Sequence, residues 1–394
     1  MNLSKKGLEI SPSSTLAIDA KAKKMKAEGL DVIGFGAGEP DFDTPEHIKK
    51  VAIAAIEDGF TKYTPASGIL ELKQAICKKF EKDNGLDYAP AQIVVSNGAK
   101  HSLINAFQAI CNPGDEIIIP APYWVSYPEM VKIAGAVPVI IETSEQSGFK
   151  FTVEQIKQVL TKKTKALVIN SPSNPTGMVY SEEELAEIAD LAVERELFVV
   201  SDEIYEKLIY DGYKHVSIAS LNNKIKEQTV VVNGVSKTYA MTGWRIGYTA
   251  SNHEIAKIMA NIQSHATSNP NSIAQKAAEA AISGEQDIIN TMVSAFISRR
   301  NYMVKRINAI PGLSCVTPNG AFYVLMNISK LIGKEIEGKK INGSDDFADV
   351  LLEKAQVALV PGSGFGIDTH VRLSYATSLS NITEGLNRIE NLLS

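Results

Sequence analysis

Apolar residues along this chain follow two different periods. Between about residues 91 and 250, short β-branched runs recur at Gln92–Ser96, Glu116–Pro120, Val137–Ile141, Ala166–Ile169, Phe198–Ser201, Thr229–Val232 and Ile246–Ala250. Helix-period stretches separate several of them, at 99–111, 152–160 and 182–195. That alternation predicts an α/β fold with a mostly parallel central sheet and helices on both faces. Upstream the period is helical: 16–29, ended by Gly29; 45–58, opened by Pro45; and 69–83, with a short apolar segment Asp31–Phe35 after the first. After about residue 285 a long helix through Arg306 leads into a mixed region, where Ala321–Met326, Val357–Val360 and Val371–Tyr375 read as strands. The pattern divides the chain into an N-terminal segment (1–45) packing with the smaller unit, a large domain (46–288) and a small α+β domain (289–394). No Pro/Gly-rich linker separates them, so they are expected to pack closely.

Composition narrows the function classes. The chain has 394 residues, too many for one ordinary core, and its 44% hydrophobic and 22% charged residues are globular values. A net charge of -5 gives no basic face for nucleic acid and no polybasic membrane patch. Cys77, Cys111 and Cys315 lie far apart without a CxxC and read as free thiols in a reducing compartment; the six histidines offer no HExxH or paired spacing for a metal. Met1–Ile10 lacks the apolar core of a secretory signal, and no apolar run approaches the roughly 20 residues of a spanning helix. A cytoplasmic protein is the expectation.

The strand ends carry the chemistry. Polar or small residues follow at Ser96-Asn97-Gly98, Asn170-Ser171-Pro172, Ser201-Asp202-Glu203 and Asn233 to Lys237. Ligands of open α/β sheets bind outside the carboxyl ends of strands, so these ends predict one shared site. A single lysine after a strand is ordinarily a surface residue. Lys237, however, sits in GVSKTYAMTGWRIGY, whose one other charge is Arg245. Desolvation near another cation lowers a lysine's pKa and makes it a nucleophile toward carbonyls, and a forked guanidinium in such a segment calls for an anion such as phosphate. The glycines Gly34, Gly36 and Gly38 lack GxGxxG spacing and lead into GEPDF instead of a helix, which speaks against a dinucleotide loop. Pro361-Gly362-Ser363-Gly364 reads as a loop lining the site.

The stretch Gly234 to Gly247 resembles the lysine signature of class I aminotransferases, members of the fold-type I pyridoxal-phosphate enzymes, at Gly234, Ser236, Lys237, Ala240, Gly243, Arg245 and Gly247. The likeness covers nearly the whole chain, through GEPDFDTP (38–45), KYTPASG (62–68), PYWVSYPEM (122–130), SPSNPTG (171–177), SDEIYE (201–206) and HVRLSYA (370–376). It implies that Lys237 holds pyridoxal 5′-phosphate as a Schiff base and shuttles the substrate's Cα proton. Asp202 would keep the pyridine nitrogen protonated; alone it would be a turn or capping residue. Tyr205 and Asn174 would bond the ring oxygen, and Trp124, otherwise a core candidate, would stack on the ring. The phosphate would lie on amides of Gly98, Ala99 and Lys100 at a helix start, completed by Ser236 and Arg245. Where many relatives carry a hydroxyl three residues before the lysine this chain has Gly234, so the Arg245 contact is the better supported of the two. Tyr63 would reach the phosphate of a neighbouring subunit, making the working unit a homodimer with shared sites. The N-terminal segment and 264–275 are further interface candidates. Cis peptides are implied before Pro175 and Pro122.

The resemblance also bears on substrate. Arg372 would clamp the substrate α-carboxylate with Gly38 and Asn174 beside it, and Lys100 would receive a distal carboxylate, as in the bacterial-type aspartate aminotransferases. A first-turn lysine is otherwise unfavourable against the helix dipole unless an anion lies near. Relatives that accept prephenate carry a basic residue before the proline matching Pro12; Ser11 stands here, which argues against prephenate. The expected reaction is ping-pong transamination of aspartate and glutamate with 2-oxoglutarate or oxaloacetate. The alternatives are aromatic, alanine or kynurenine transamination, a carbon–sulfur lyase, and a cofactor-sensing regulatory domain.

Overall fold

The computed structural model describes residues 2–12 and 14–394; Ser13 and Met1, the latter part of the N-terminal stretch weighed above as a signal, lie outside them. Helices form where the apolar period places them, and their ends are chemically marked. The stretch 152–160 becomes Val153–Val159, capped by Thr152, whose hydroxyl accepts from the Gln155 N–H at 3.3 Å. The stretch 182–195 becomes Glu182–Glu194 behind a Ser181–Glu184 capping box. Leu70–Asn84 stops at Gly85, which takes the left-handed conformation (φ 65°) that closes a helix. Ser14–Ala27, Glu46–Glu57 and Ala99–Ile110 fill the other expected helices.

Before the main sheet comes only β1 (Ile33–Gly34). The sheet itself contains β2 (Ile93–Ser96), β3 (Glu116–Ala121), β4 (Val137–Glu142), β5 (Thr164–Asn170), β6 (Phe198–Asp202), β7 (Thr229–Gly234) and β8 (Gly247–Ala250), in the order β2-β8-β7-β6-β5-β3-β4. Only β8 runs against its neighbours. The others share one direction, so their carboxyl ends lie along one edge. Register aligns those ends: Asn170 pairs with Asp202, and Gly247 pairs with both Gly234 and Ser96. Strand interiors such as Val94, Ile117, Val168, Val200 and Val232 are buried under the flanking helices, which explains their near-continuous apolar runs.

The second region holds β9 (Ser314–Cys315), β10 (Tyr323–Asn327), a small hairpin of β11 (Glu335–Ile336) and β12 (Lys339–Lys340), then β13 (Val357–Ala358), β14 (Val360–Pro361) and β15 (His370–Ser374). An antiparallel sheet β14-β15-β10-β9 packs against the long helix Asp287–Ile307, which buries Met292, Phe296, Met303 and Ile307. The single strand expected at Val357–Val360 is instead two. β13 pairs in parallel with β1, while β14 joins β15. All four residues are buried, so the apolar run could not reveal that the chain changes sheets within it.

Candidate active site

The one reversed strand creates the place where the lysine sits. Between β7 and β8 the chain turns back over Val235–Ile246 with a 3₁₀ turn at Thr242–Trp244 and no crossover helix. Ala240 (φ 52°) and Arg245 (φ 58°) take left-handed conformations that cost L-residues about 1 kcal/mol or more. Lys237, on this loop, points its half-buried amine at the carbonyl of Gly38, to which it donates. Burial pushes its pKa down to about 8; Glu39 opposes the shift, and Arg372 and Arg245 reinforce it.

Asp202 ends β6, and strand alternation sends it and Glu203 to opposite faces. Glu203 turns into the fold, where its carboxylate accepts from the hydroxyls of Ser201 (2.8 Å) and Ser217 (2.7 Å) and pairs with His215 (2.9 Å). Asp202 faces the pocket, accepting from the Tyr127 hydroxyl at 2.7 Å and the Ile204 N–H at 3.3 Å. Burial raises its pKa to about 6, with Tyr127 and the Ile204 amide working against the rise. No cation forms an ion pair with it among the described residues.

Opposite lies Arg372, 1% exposed, held by Asn174 Oδ1 at 2.9 Å and the Gly36 carbonyl at 2.8 Å, with its guanidinium 4.4 Å from the Tyr323 ring. Its Nε finds no partner, and neither Arg372 nor Lys100 pairs with a carboxylate among the described residues. Burial pulls the pKa of Arg372 below its usual value. A buried cation with an unfilled donor is costly unless an anion joins it. Asn174 is itself fixed by Asn170, whose Oδ1 accepts the Asn174 N–H at 2.8 Å. The Tyr205 and Tyr323 hydroxyls bond each other at 2.9 Å.

These groups share a pocket of about 590 Å³, whose walls include Gly38, Trp124, Asn174, Asp202, Tyr205 and Arg372, and also Ala99, Lys100, Ser236, Lys237 and Arg245. Trp124 meets Tyr127 edge-on at 5.4 Å, and Lys100 Nζ lies 4.9 Å from the Trp124 ring. Burial, with Arg245 second, lowers the Lys100 pKa. Gly98 plays a different part from the one expected. Its N–H already donates to the Ser96 carbonyl at 2.8 Å, so it offers no free amide. Its φ of 86° and its lack of a side chain let Arg245 approach: a Cβ there would stand 2.3 Å from Arg245 Nη2. Gly98→Ala is expected to lower stability by about 1–2 kcal/mol and to displace Arg245, measured by urea unfolding beside anion affinity. Unchanged values for both would show that the close approach is unimportant.

Tyr63 stands apart, 90% exposed and outside this pocket. Pro361–Gly364 is not among its walls either; the turn Gly362–Phe365 packs against Arg372, with the Phe365 ring 5.2 Å from the guanidinium. Peptides before Pro122, Pro172 and Pro175 are cis, the second of these unforeseen. Sequence reasoning gave no role to Tyr127 or Tyr323, and placed Asn170 only among the polar strand ends of the shared site.

A sequence model described as aminotransferase class I and II matches residues 30–389. The chain belongs to that family. This aminotransferase is 53% identical to an aspartate aminotransferase of Bacillus sp. (strain YM-2), covering 98% of this chain and 97% of that one. It is 48% identical to an aspartate/prephenate aminotransferase of Nitrosomonas europaea, over 100% of both. Among solved structures, the aspartate aminotransferase of Rhizobium meliloti superposes with a TM-score of 0.96 at 44% identity, over 100% of this chain and 99% of that one. The Thermus thermophilus enzyme with maleate gives 0.94 at 44%, over 100% of both. The sheet and its flanking helices are therefore those of the fold-type I enzymes, and the aminotransferase catalyses transamination.

Proposed function

We propose that this enzyme exchanges the amino groups of L-aspartate and L-glutamate with 2-oxoglutarate and oxaloacetate, using pyridoxal 5′-phosphate held on Lys237. One observation carries the reading: among the described residues, a single pocket holds a buried carboxylate with no ion-pair partner, a lysine amine of lowered pKa, and two cations, Arg372 and Lys100, with no carboxylate partners. The donor set suits the cofactor. A pyridinium would relieve the buried charge of Asp202, and the Ala99 and Lys100 amides at a helix start, with Ser236 and Arg245, suit a phosphate. Trp124 can cover the ring, and Tyr205 with Asn174 can bond its oxygen.

When bound, the cofactor supplies a carbonyl that condenses with amines and a cationic ring that withdraws electrons from Cα. Asp202 holds the ring-nitrogen proton, its orientation set by Tyr127 and the Ile204 amide. Arg372 receives the α-carboxylate through its fork, with Asn174 fixing the guanidinium plane and Gly38 alongside. Lys237 then takes the Cα proton and returns it, a task suited to an amine whose pKa of about 8 leaves a neutral fraction near neutral pH. Lys100 receives the distal carboxylate of a dicarboxylic substrate. The two half-reactions alternate in ping-pong order.

On this reading residues 46–288 carry the cofactor, while 1–45 and 289–394 form the smaller unit. The exposed Tyr63, with Ile53, Ile56 and Leu70 also exposed and the nearby 264–275 stretch, suits a second copy that completes each site. No helix among the described residues is long and apolar enough to cross a membrane, and three unpaired cysteines suit a reducing cytoplasm. Prephenate is not included, because Ser11 and not a basic residue precedes Pro12.

A panel of amino donors tests the substrate. Lys100→Ala is expected to lower kcat/KM for aspartate about 10–100-fold while leaving alanine within about twofold, as loss of one charged hydrogen bond predicts. Equal rates for parent and variant with aspartate would favour an aromatic, alanine or kynurenine transaminase.

A further inference from the structure

The segment Gly38–Thr44 crosses the Val235–Ile246 loop and is fastened to it along its length. The Gly38 carbonyl accepts from Lys237 Nζ. The next residue, Glu39, accepts from the Thr242 hydroxyl at 2.7 Å. Thr44 donates to the Ala240 carbonyl at 2.8 Å and accepts from Trp244 Nε1 at 3.0 Å. On the outer side Asp41 pairs with Arg299 at 2.7 Å, tying the segment to the helix Asp287–Ile307. The loop therefore does not hold its left-handed Ala240 alone: Thr44 grips that residue's carbonyl. Glu39 lines the pocket beside Thr242 and Lys237 and bonds neither Arg372 nor Arg245 among the described residues.

We propose that Glu39 is a positioning residue of the transamination, whose clasp on Thr242 holds the Gly38 carbonyl and one fixed negative charge against the Lys237 amine. The strap, together with the loop, then sets where the reacting amine sits and how readily it carries a proton. The role rests on the reading of Lys237 given above. Around that amine burial, Arg372 and Arg245 all favour the neutral form, and Glu39 is the strongest influence the other way. A strap that only stabilised the loop would need the hydrogen bond but not the charge.

Two near-isosteric changes separate these roles. Glu39→Gln keeps an acceptor for Thr242 and removes the charge; Thr242→Val keeps the charge and removes the clasp. The readout is the pH midpoint of the visible absorbance of the holoenzyme, which follows the proton on the Lys237 nitrogen. Glu39→Gln is expected to move that midpoint down by roughly half a unit or more, since a nearby carboxylate favours the cation. Thr242→Val should move it the same way by less, as the already exposed carboxylate loses the hydroxyl that holds it toward the amine. Midpoints within about 0.1 unit of the parent for both variants would overturn the proposal and leave the strap a structural tie. An unmoved midpoint with an altered KM for aspartate would also overturn it, making Glu39 a substrate contact. A parent protein that binds no cofactor through Lys237 would show no such visible absorbance, and that failure belongs to the proposed function itself.

Discussion

Lys237→Ala is expected to lose at least about 10⁴-fold in transamination while remaining folded. On the proposed reading the amine has two roles that no neighbour can assume: covalent attachment of the cofactor and transfer of the Cα proton. General base catalysis alone is worth about 10²–10⁴-fold, and losing the covalent step adds to it. Folding has little to lose, because the side chain is desolvated and, among the described residues, its one hydrogen bond is to the Gly38 carbonyl. Removing a charge whose pKa burial pushes down to about 8 relieves a cost at neutral pH. A lysine whose folded pKa is depressed to about 8 penalises folding most below that pH, where the folded state must carry the charge in a desolvated site, and the penalty fades as pH rises toward the unfolded value. The variant's Tm near pH 7 should therefore equal or exceed that of the parent without cofactor. Single-turnover absorbance with aspartate measures the activity; a variant within tenfold of the parent would end the assignment of Lys237.

Much of this site was legible because its chemistry is local. Lys237 follows an apolar run, Asp202 ends another, and parallel strands bring such ends to one edge, so recognising the sheet located the pocket. What stayed hidden depends on contacts between distant segments. Tyr127 reaches Asp202 across 75 positions and Tyr323 reaches Tyr205 across 118. A buried tyrosine in either run looks like core until its partner is known. At Gly98 the sequence shows a glycine at a helix start but not that its amide already donates to the Ser96 carbonyl. Tyr63 is a different case: a phenol 90% exposed on one chain would gain its proposed function only beside a second copy. The strap went unread for a related reason. GEPDFDTP was visible as a motif, yet its purpose lies in the loop two hundred residues away to which Glu39 and Thr44 bind.

Asp202→Asn should separate function from stability more sharply than any other change. Burial pushes the pKa of this carboxylate up to about 6, and the Tyr127 and Ile204 hydrogen bonds and the charge of Lys237 oppose the rise without cancelling it. An acid whose folded pKa is raised favours folding while protonated, and that contribution is lost as pH rises through about 6. Above that pH the chain without cofactor carries an uncompensated buried charge. Asparagine removes it and still suits the site: its oxygen can accept from the Ile204 N–H, and its amide can donate to the Tyr127 hydroxyl, which accepts as readily as it donates. The cofactor-free variant is therefore expected to melt at or above the parent's temperature at pH 7.5, with the advantage shrinking toward pH 4. Activity should go the other way. Without an anion to hold the ring-nitrogen proton, the electron withdrawal that stabilises the Cα carbanion weakens, and loss of a buried charge pair predicts a fall of about 10³-fold in kcat. The stabilisation that cofactor binding confers on the protein should shrink as well, since the parent gains a partner for its buried charge and the variant does not. Calorimetry of both proteins with and without pyridoxal phosphate decides the matter. A variant that loses stability without cofactor yet keeps its rate would mean that Asp202 is a structural residue and that the proton is held elsewhere.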